Sequence, residues 1–343
     1  MPAEMNSVER VRRTIAGETP DRVPVIPLII HHTMKIAGVR YDRYAQDPAL
    51  VAQTQINAWE TYGYDGFHVT CDNWILPAAL GCPIRFAEDQ PPTAAQQILA
   101  DTKDLGRLTR PQTGTEGRMG FKVEATRLTA QAVGDRAFLK TNFDQGPFSL
   151  ATAVRGIEQL MIDCVDDPQF VFDLLEICTD AVIKFALACG RAGCHGLTFG
   201  DSTSGLLSRP LYEQFAWPFE VRVAEALKTL DMPVFLHICG DTAHIIDLMA
   251  RTGFAGLEVD YQHSIAFFKE KTGGEVCLQG NIEPAGVLLA GTPEQVREDC
   301  RIAIEQGMPC SRFILSSGCE VPRDTPPENL RALVQAARDF GTY

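Results

Sequence analysis

The feature that most constrains this chain is a rhythm that recurs eight times. A short apolar run is followed by a polar or Gly-containing loop and then by a helical stretch. The runs are VPVIPLII (23–30), GFHVT (66–70), FLKT (138–141), GLTF (196–199), PVFLH (233–237), GLEV (256–259), EVCLQ (275–279) and RFILS (312–316). Such short, Val/Ile/Leu/Phe-rich runs suit strands buried on both faces of a parallel sheet. Helical patterns between them include Asp166 to Cys189, Arg209 to Leu230 and Pro293 to Gln306, the last with Thr292 as N-cap and Pro293 at N1. Eight strands alternating with helices predict an α/β fold, the (β/α)₈ or TIM barrel. No Pro/Ser-rich linker divides the chain, so residues 1–343 are expected to form a single domain. Residues 72–137 are long for one connection and are predicted to hold extra loops and a helix over the barrel mouth. The N-terminal segment predicts a short amphipathic helix, with Ser7 as N-cap and Val8, Val11 and Ile15 on one face.

A net charge of −13 argues against nucleic acid and against an anionic membrane surface as partners. No apolar run approaches the roughly 20 residues of a membrane span, and no apolar leader precedes the first helix. The eleven cysteines are scattered rather than arranged as a framework, which predicts reduced thiols and a cytoplasmic setting. Cys164, Cys178, Cys189 and Cys300 read as small core hydrophobes in helices. No G-x-G-x-x-G, Walker or G-x-S-x-G motif supports phosphate cradling or serine hydrolysis.

Barrel enzymes carry their chemistry at the C-terminal ends of the strands. The residues that follow the eight runs include His31-His32, Cys71-Asp72, Asn142, Asp144, Asp201, His237, Cys239, Glu258, Asn281 and Cys319. The segment PVFLHICGDT is the most informative. His237 and Cys239 are two apart, so in extended chain they face one side, and Gly240 lets the backbone turn. Cys319 follows the eighth run, which faces the fifth across a barrel. One imidazole and two thiolates form a soft set that suits zinc and leaves a fourth position open. The bland alternative is a satisfied histidine beside a buried cysteine.

With these pieces, the chain resembles the uroporphyrinogen decarboxylase superfamily over nearly its whole length. It is most similar to that family's zinc-dependent corrinoid methyltransferases. The resemblance rests on GPFSLA (146–151), DSTSGLLSRPLYEQFAWP (201–218), HICGDT (237–242), QGNIEP (279–284) and ILSSGCEVPRDTPPENL (314–330), taken in order. It implies a TIM barrel and a zinc ion on His237, Cys239 and Cys319. It also implies a methyl–cobalt corrinoid on a partner corrinoid-binding protein as donor, and a thiol such as coenzyme M or tetrahydrofolate as acceptor. Abundant arginine and alanine hint at a GC-rich bacterial genome and lean the acceptor towards tetrahydrofolate.

The decarboxylase branch is the rival. Asp72 sits where decarboxylases carry an aspartate for pyrrole nitrogens. Yet PLIIHHTMKIAG offers His31, His32 and Lys35 and no arginine to hold substrate carboxylates. A third reading is a noncatalytic barrel that docks a corrinoid protein.

The remaining candidates each have a structural alternative. Glu258 is an exchangeable fourth ligand or proton acceptor, or a carboxylate paired with a cation at the mouth. Asp201 bonds the acceptor or caps the following turn. Asn142, Asn281 and one of His31 and His32 contact substrate or satisfy loop backbone. His195 and His244, the latter expected inside a helix, read as structural; His68 and His263 give no signal.

Overall fold

The computed structural model describes residues 4–309 and 311–343; Met1–Ala3 and Cys310 lie outside the described residues. Seven strands form one parallel sheet in sequential order. They are β1 (Gly66–Val69), β2 (Phe138–Gln145), β3 (Gly196–Gly200), β4 (Val234–His237), β5 (Gly256–Glu258), β6 (Cys277–Ile282) and β7 (Phe313–Ser317). Each corresponds to one predicted run, with ends shifted by a few residues. β1 and β7 are buried throughout, as two-sided burial requires.

The first run, 23–30, is not a strand, and this corrects the expectation. Pro24 and Pro27 have no N–H, so a continuous ladder cannot form there. The segment nevertheless closes the cylinder. Ile26 N donates to Leu315 O at 3.0 Å, and Leu315 N donates to Pro24 O at 2.9 Å. On its other side, Asp65 N donates to Val25 O at 2.8 Å. The run thus lies between β7 and β1, and the fold is a (β/α)₈ barrel with one proline-interrupted stave.

The N-terminal helix, Ser7–Ala16, plugs the bottom of the barrel. Val8 and Val11 pack with Ile26, Phe138, Phe235, Cys277 and Ile314, and Ile15 packs beside them. Its N-cap is Asn6 rather than Ser7: the Asn6 side chain accepts from Glu9 N. This leaves the Ser7 hydroxyl free to donate to Asp65 Oδ1 at 3.2 Å. Asp65 also binds Arg10 at 2.7 Å and Arg22 at 2.7 Å, and accepts from Val25 N at 2.9 Å. One carboxylate therefore ties the plug, the interrupted stave and the start of β1.

Two further expectations need adjustment. Within 72–137, the long helix Arg118–Val133 is part of the outer ring, packed against the Pro48–Tyr62 helix and β1. Only the short helix Ile75–Ala79 and its loops lie towards the mouth, against the Pro147–Arg155 helix. The stretch Arg209 to Leu230 splits into Arg209–Phe215 and Trp217–Leu227, because Pro218 cannot donate to a continuous helix. Asp166 to Cys189 becomes Pro168–Gly190, and Thr292 caps Pro293–Gly307 as expected. The cysteines at 164, 178, 189 and 300 are buried, and none of the described cysteines is disulfide-bonded. Among the described residues, no helix is long and apolar enough to cross a membrane.

Replacing Asp65 by Ala takes the carboxylate from Arg22 and Val25 N at the closure seam and leaves the buried Arg10 with Asp21 alone. The expected loss is about 3–5 kcal/mol in urea denaturation. An unchanged midpoint would contradict this role.

Candidate metal centre

β4 ends at His237, and the chain continues extended through Ile238 to Cys239. Ile238 turns into the core while its two neighbours face the mouth. Gly240 then adopts φ +87°, a conformation that a side chain disfavours, and its N–H donates to Asp260 Oδ2 at 2.6 Å. Cys319 follows β7 across the mouth. Gly318 makes that approach possible, because a Cβ there would lie 2.8 Å from Tyr261 N.

The three side chains meet. His237 Nε2 lies 2.9 Å from Cys239 Sγ and 3.9 Å from Cys319 Sγ, and the two sulfurs are 3.5 Å apart. Among the described residues this is the only group of three whose donor atoms all lie within 4.8 Å of one another. Tetrahedral zinc with ordinary bond lengths separates such donors by roughly 3.6–3.8 Å, so the trio fits that ion. His237 Nδ1 donates to the Glu258 carbonyl at 3.1 Å, which fixes the tautomer and leaves Nε2 as the donor atom for a metal. Ser202 Oγ donates to Cys239 Sγ at 3.4 Å. The hydrogen bond from Cys319 is the main influence lowering the Cys239 thiol. Burial opposes charge on His237, yet Cys319 and Glu258 raise it to about 9. The trio thus shares protons that a cation would displace.

Below it lies a buried polar layer. Lys140 Nζ donates to Glu258 Oε1 and to Gln279 Oε1, both at 2.6 Å, and sits 4.0 Å from the Phe235 ring centre. His68 Nε2 is 3.1 Å from Glu258 Oε1. Burial works against the Glu258 charge, but Lys140 and His68 hold its carboxyl well below the usual range. Glu258 is thus paired with a cation, as its structural reading has it, and it also lines the cleft above. That cleft, of about 400 Å³, has His237, Cys239, Cys319 and Glu258 among its lining residues.

The other candidates divide. Asn142 lines the cleft, and its Oδ1 accepts from Asp144 N at 2.7 Å. Asp201 is fully buried and accepts from Phe148 N and Ser149 N, so it caps the Pro147–Arg155 helix rather than the turn after it. Asp72 is locked to Arg118 at 2.7 Å and lies outside the cleft lining. His31 binds Glu320 at 2.6 Å at the rim, and His32 is buried against Tyr62 and the Arg323 carbonyl. Asn281 Nδ2 donates to the His263 and Asp260 carbonyls and borders a separate hollow. His244 is in a turn, not a helix, where it contacts the Leu207 carbonyl. Sequence reasoning missed His68 and Lys140. A lysine in the middle of the buried run FLKT was the available signal.

The uroporphyrinogen decarboxylase (URO-D) family profile matches residues 6–340. The chain belongs to the uroporphyrinogen decarboxylase family. Among its relatives, Methylcobamide:CoM methyltransferase MtbA of Methanosarcina acetivorans is 26% identical over 343 residues, spanning 98% of this chain and 99% of its own. A Uroporphyrinogen decarboxylase of Xanthomonas axonopodis pv. citri is 27% identical over 358 residues, spanning 96% and 98%. A solved methyltransferase from Methanosarcina mazei superposes with a TM-score of 0.90 at 26% identity, covering 98% of this chain and 99% of that one. The family thus holds two chemistries on one barrel, and the relatives place this chain beside its corrinoid methyltransferase branch.

Asp144 offers a pH test. Its side chain is buried, and burial raises the carboxyl from 3.8 to about 7, with Asp72 adding to the rise while Leu76 N, Lys122 and Arg118 oppose it. A folded value above the unfolded one stabilises the protein fully at low pH, and that stability is lost as pH climbs through 7. Asp144→Asn should therefore gain on the native protein between pH 4 and pH 8, by a few kcal/mol at most. Parallel denaturation curves check it; a constant difference would refute it.

Proposed function

We propose that this protein moves a methyl group from a methyl–cobalt corrinoid, carried on a partner corrinoid-binding protein, to a thiol acceptor. The observation that carries this is the convergence of His237, Cys239 and Cys319 at the cleft. Full-length similarity to proteins named methylcobamide:CoM methyltransferases supports it.

The trio would hold zinc, and zinc when bound supplies Lewis acidity that lowers the pKa of a thiol. The chain's own residues do the rest. Glu258, pinned as an anion by Lys140 and His68, orients His237 through its carbonyl and faces the acceptor through its carboxylate. It is also suited to serve as an exchangeable fourth ligand. Ser202 holds Cys239 in place, and Asn142 contributes an amide to the cleft wall. The acceptor's sulfur, its proton released to solvent, attacks the methyl carbon. The electron pair of the methyl–cobalt bond stays on cobalt, which leaves reduced by two electrons. Holding the acceptor still at the base of the cleft removes much of the entropic barrier.

The relatives' names carry coenzyme M, a thiol, and nothing favours the tetrahydrofolate that composition hinted at. A soft N/S₂ donor set also suits a sulfur acceptor. Decarboxylation is the weaker reading, because Asp72 is engaged by Arg118 and, among the described residues, no Lys or Arg lines the cleft. A substrate with eight carboxylates would find no bidentate partner there. We read residues 1–343 as one domain acting in the cytoplasm, where its thiols stay reduced.

Metal analysis of the purified protein is expected to give about one zinc per chain. Cys239→Ala and Cys319→Ala should each lose the metal, and methylcobalamin demethylation with a thiol should fall by more than about a hundredfold. A metal-free protein that is fully active would end this reading, and a zinc-loaded protein inert towards methylcobalamin would favour the docking barrel.

A further inference from the structure

The charges around the cleft say more about the acceptor than the metal trio does. We infer that the acceptor is a short thiol whose far end is neutral or cationic, and that the cleft discriminates against thiols with an anionic tail. This rests on the thiol reading above and narrows it, setting this chain apart from relatives named for coenzyme M, which is itself 2-mercaptoethanesulfonate.

Three carboxyl-bearing side chains line the cleft: Asp144, Glu258 and Glu320. Among the described residues, no lysine or arginine lines it. The nearby cations are already engaged in the walls. Lys140 is fully buried on Glu258 and Gln279. Arg118 is committed to Asp72, and His31 to Glu320. Each of these donors points at a protein carboxylate, so an anionic ligand would meet the outer faces of the acceptors instead.

Helix N-termini are the other natural anion sites. One borders this cleft, and the protein's own carboxylate occupies it: Asp201 accepts from Phe148 N at 3.3 Å and Ser149 N at 2.6 Å, at the start of Pro147–Arg155. The backbone N–H of His31 at the rim is likewise taken, by Glu320 at 3.1 Å. An anionic tail would displace one of these or remain unpaired.

What remains to greet the tail is neutral and polar: the amides of Asn73, Gln97 and Asn142, and the hydroxyls of Ser149, Thr152 and Thr203. These bond an alcohol or amine well, and an ammonium group gains the Glu258 and Glu320 carboxylates besides.

The test uses the zinc-loaded protein, methylcobalamin and three thiols of equal chain length: 2-mercaptoethanol, cysteamine and 2-mercaptoethanesulfonate. Thioether formation is followed after subtracting the uncatalysed rate. The neutral and cationic thiols should each exceed the sulfonate in kcat/KM by about tenfold or more. Binding is read separately by quenching of Trp74, which lines the cleft, using the three S-methylated products, with Trp74→Phe as control. The sulfonate should bind weakest. Asn73→Arg puts a cation on an exposed part of the lining, and should raise the sulfonate's kcat/KM relative to 2-mercaptoethanol severalfold. The Asn73 carbonyl, which Gln145 uses, is unaffected by that change.

A sulfonate that matches or outperforms its partners in turnover or binding overturns this inference and leaves thiol methylation standing. An Asn73→Arg variant with unchanged preference also counts against it. Turnover with none of the three overturns both together.

Discussion

The buried contact between Lys140 and Glu258 links the two halves of this barrel. Below it lies an apolar plug; above it lies a polar cleft. A lysine with no solvent exposure carries a large desolvation cost unless its charge is met. Here one carboxylate oxygen, one amide oxygen and an aromatic face meet it. Glu258 in turn takes a hydrogen bond from His68 and offers its carbonyl to His237. The histidine is oriented by a backbone carbonyl of β5, while the side-chain contacts beneath it reach down to Ile26, whose carbonyl accepts from Gln279 at 2.9 Å.

Closure of the barrel depends on the same region from below. The 23–30 segment pairs with β7 on one side and meets β1 on the other, despite two prolines. Asp65 supplies what the prolines remove: it accepts from Val25 N and gathers Arg10 and Arg22. Because the stave is held by side chains rather than a full ladder, it is free to depart from strand geometry above Val25. It uses that freedom at Leu28, whose N–H takes Ser317 Oγ and whose carbonyl takes Val321 N. The loop that carries Cys319 is thereby fastened at both ends.

Much of this was legible in the residues. Seven of eight runs became strands because two-sided burial imposes an apolar sequence that periodicity detects. The convergence of His237, Cys239 and Cys319 was legible because they follow the fifth and eighth runs, which face one another across a barrel. The first run misled because its apolar content was right while its prolines, which alter hydrogen bonding and not hydrophobicity, were underweighted. The roles of Lys140 and His68 were hidden for another reason. An interior cation is explained only by partners 118 and 190 residues away in sequence, and only folding brings them together. For Asp201 the sequence offered the acceptor or the following turn, whereas its side chain accepts from residues 148 and 149, far back along the chain.

The two family chemistries can be separated on this one barrel by asking where positive charge is spent. A decarboxylase acting on a polycarboxylate must expose cations to its cleft. In this chain the cations near the cleft are turned inward onto Asp72, Glu258 and Glu320. The arrangement leaves no lysine or arginine among the described residues of the lining. Zinc on one imidazole and two thiolates carries no net charge, so it adds little attraction for an anion. Selectivity among acceptors then falls to the second end of the molecule, away from the sulfur. There the wall offers amides, hydroxyls and carboxylate edges, and a ligand is judged by how many hydrogen bonds it can donate.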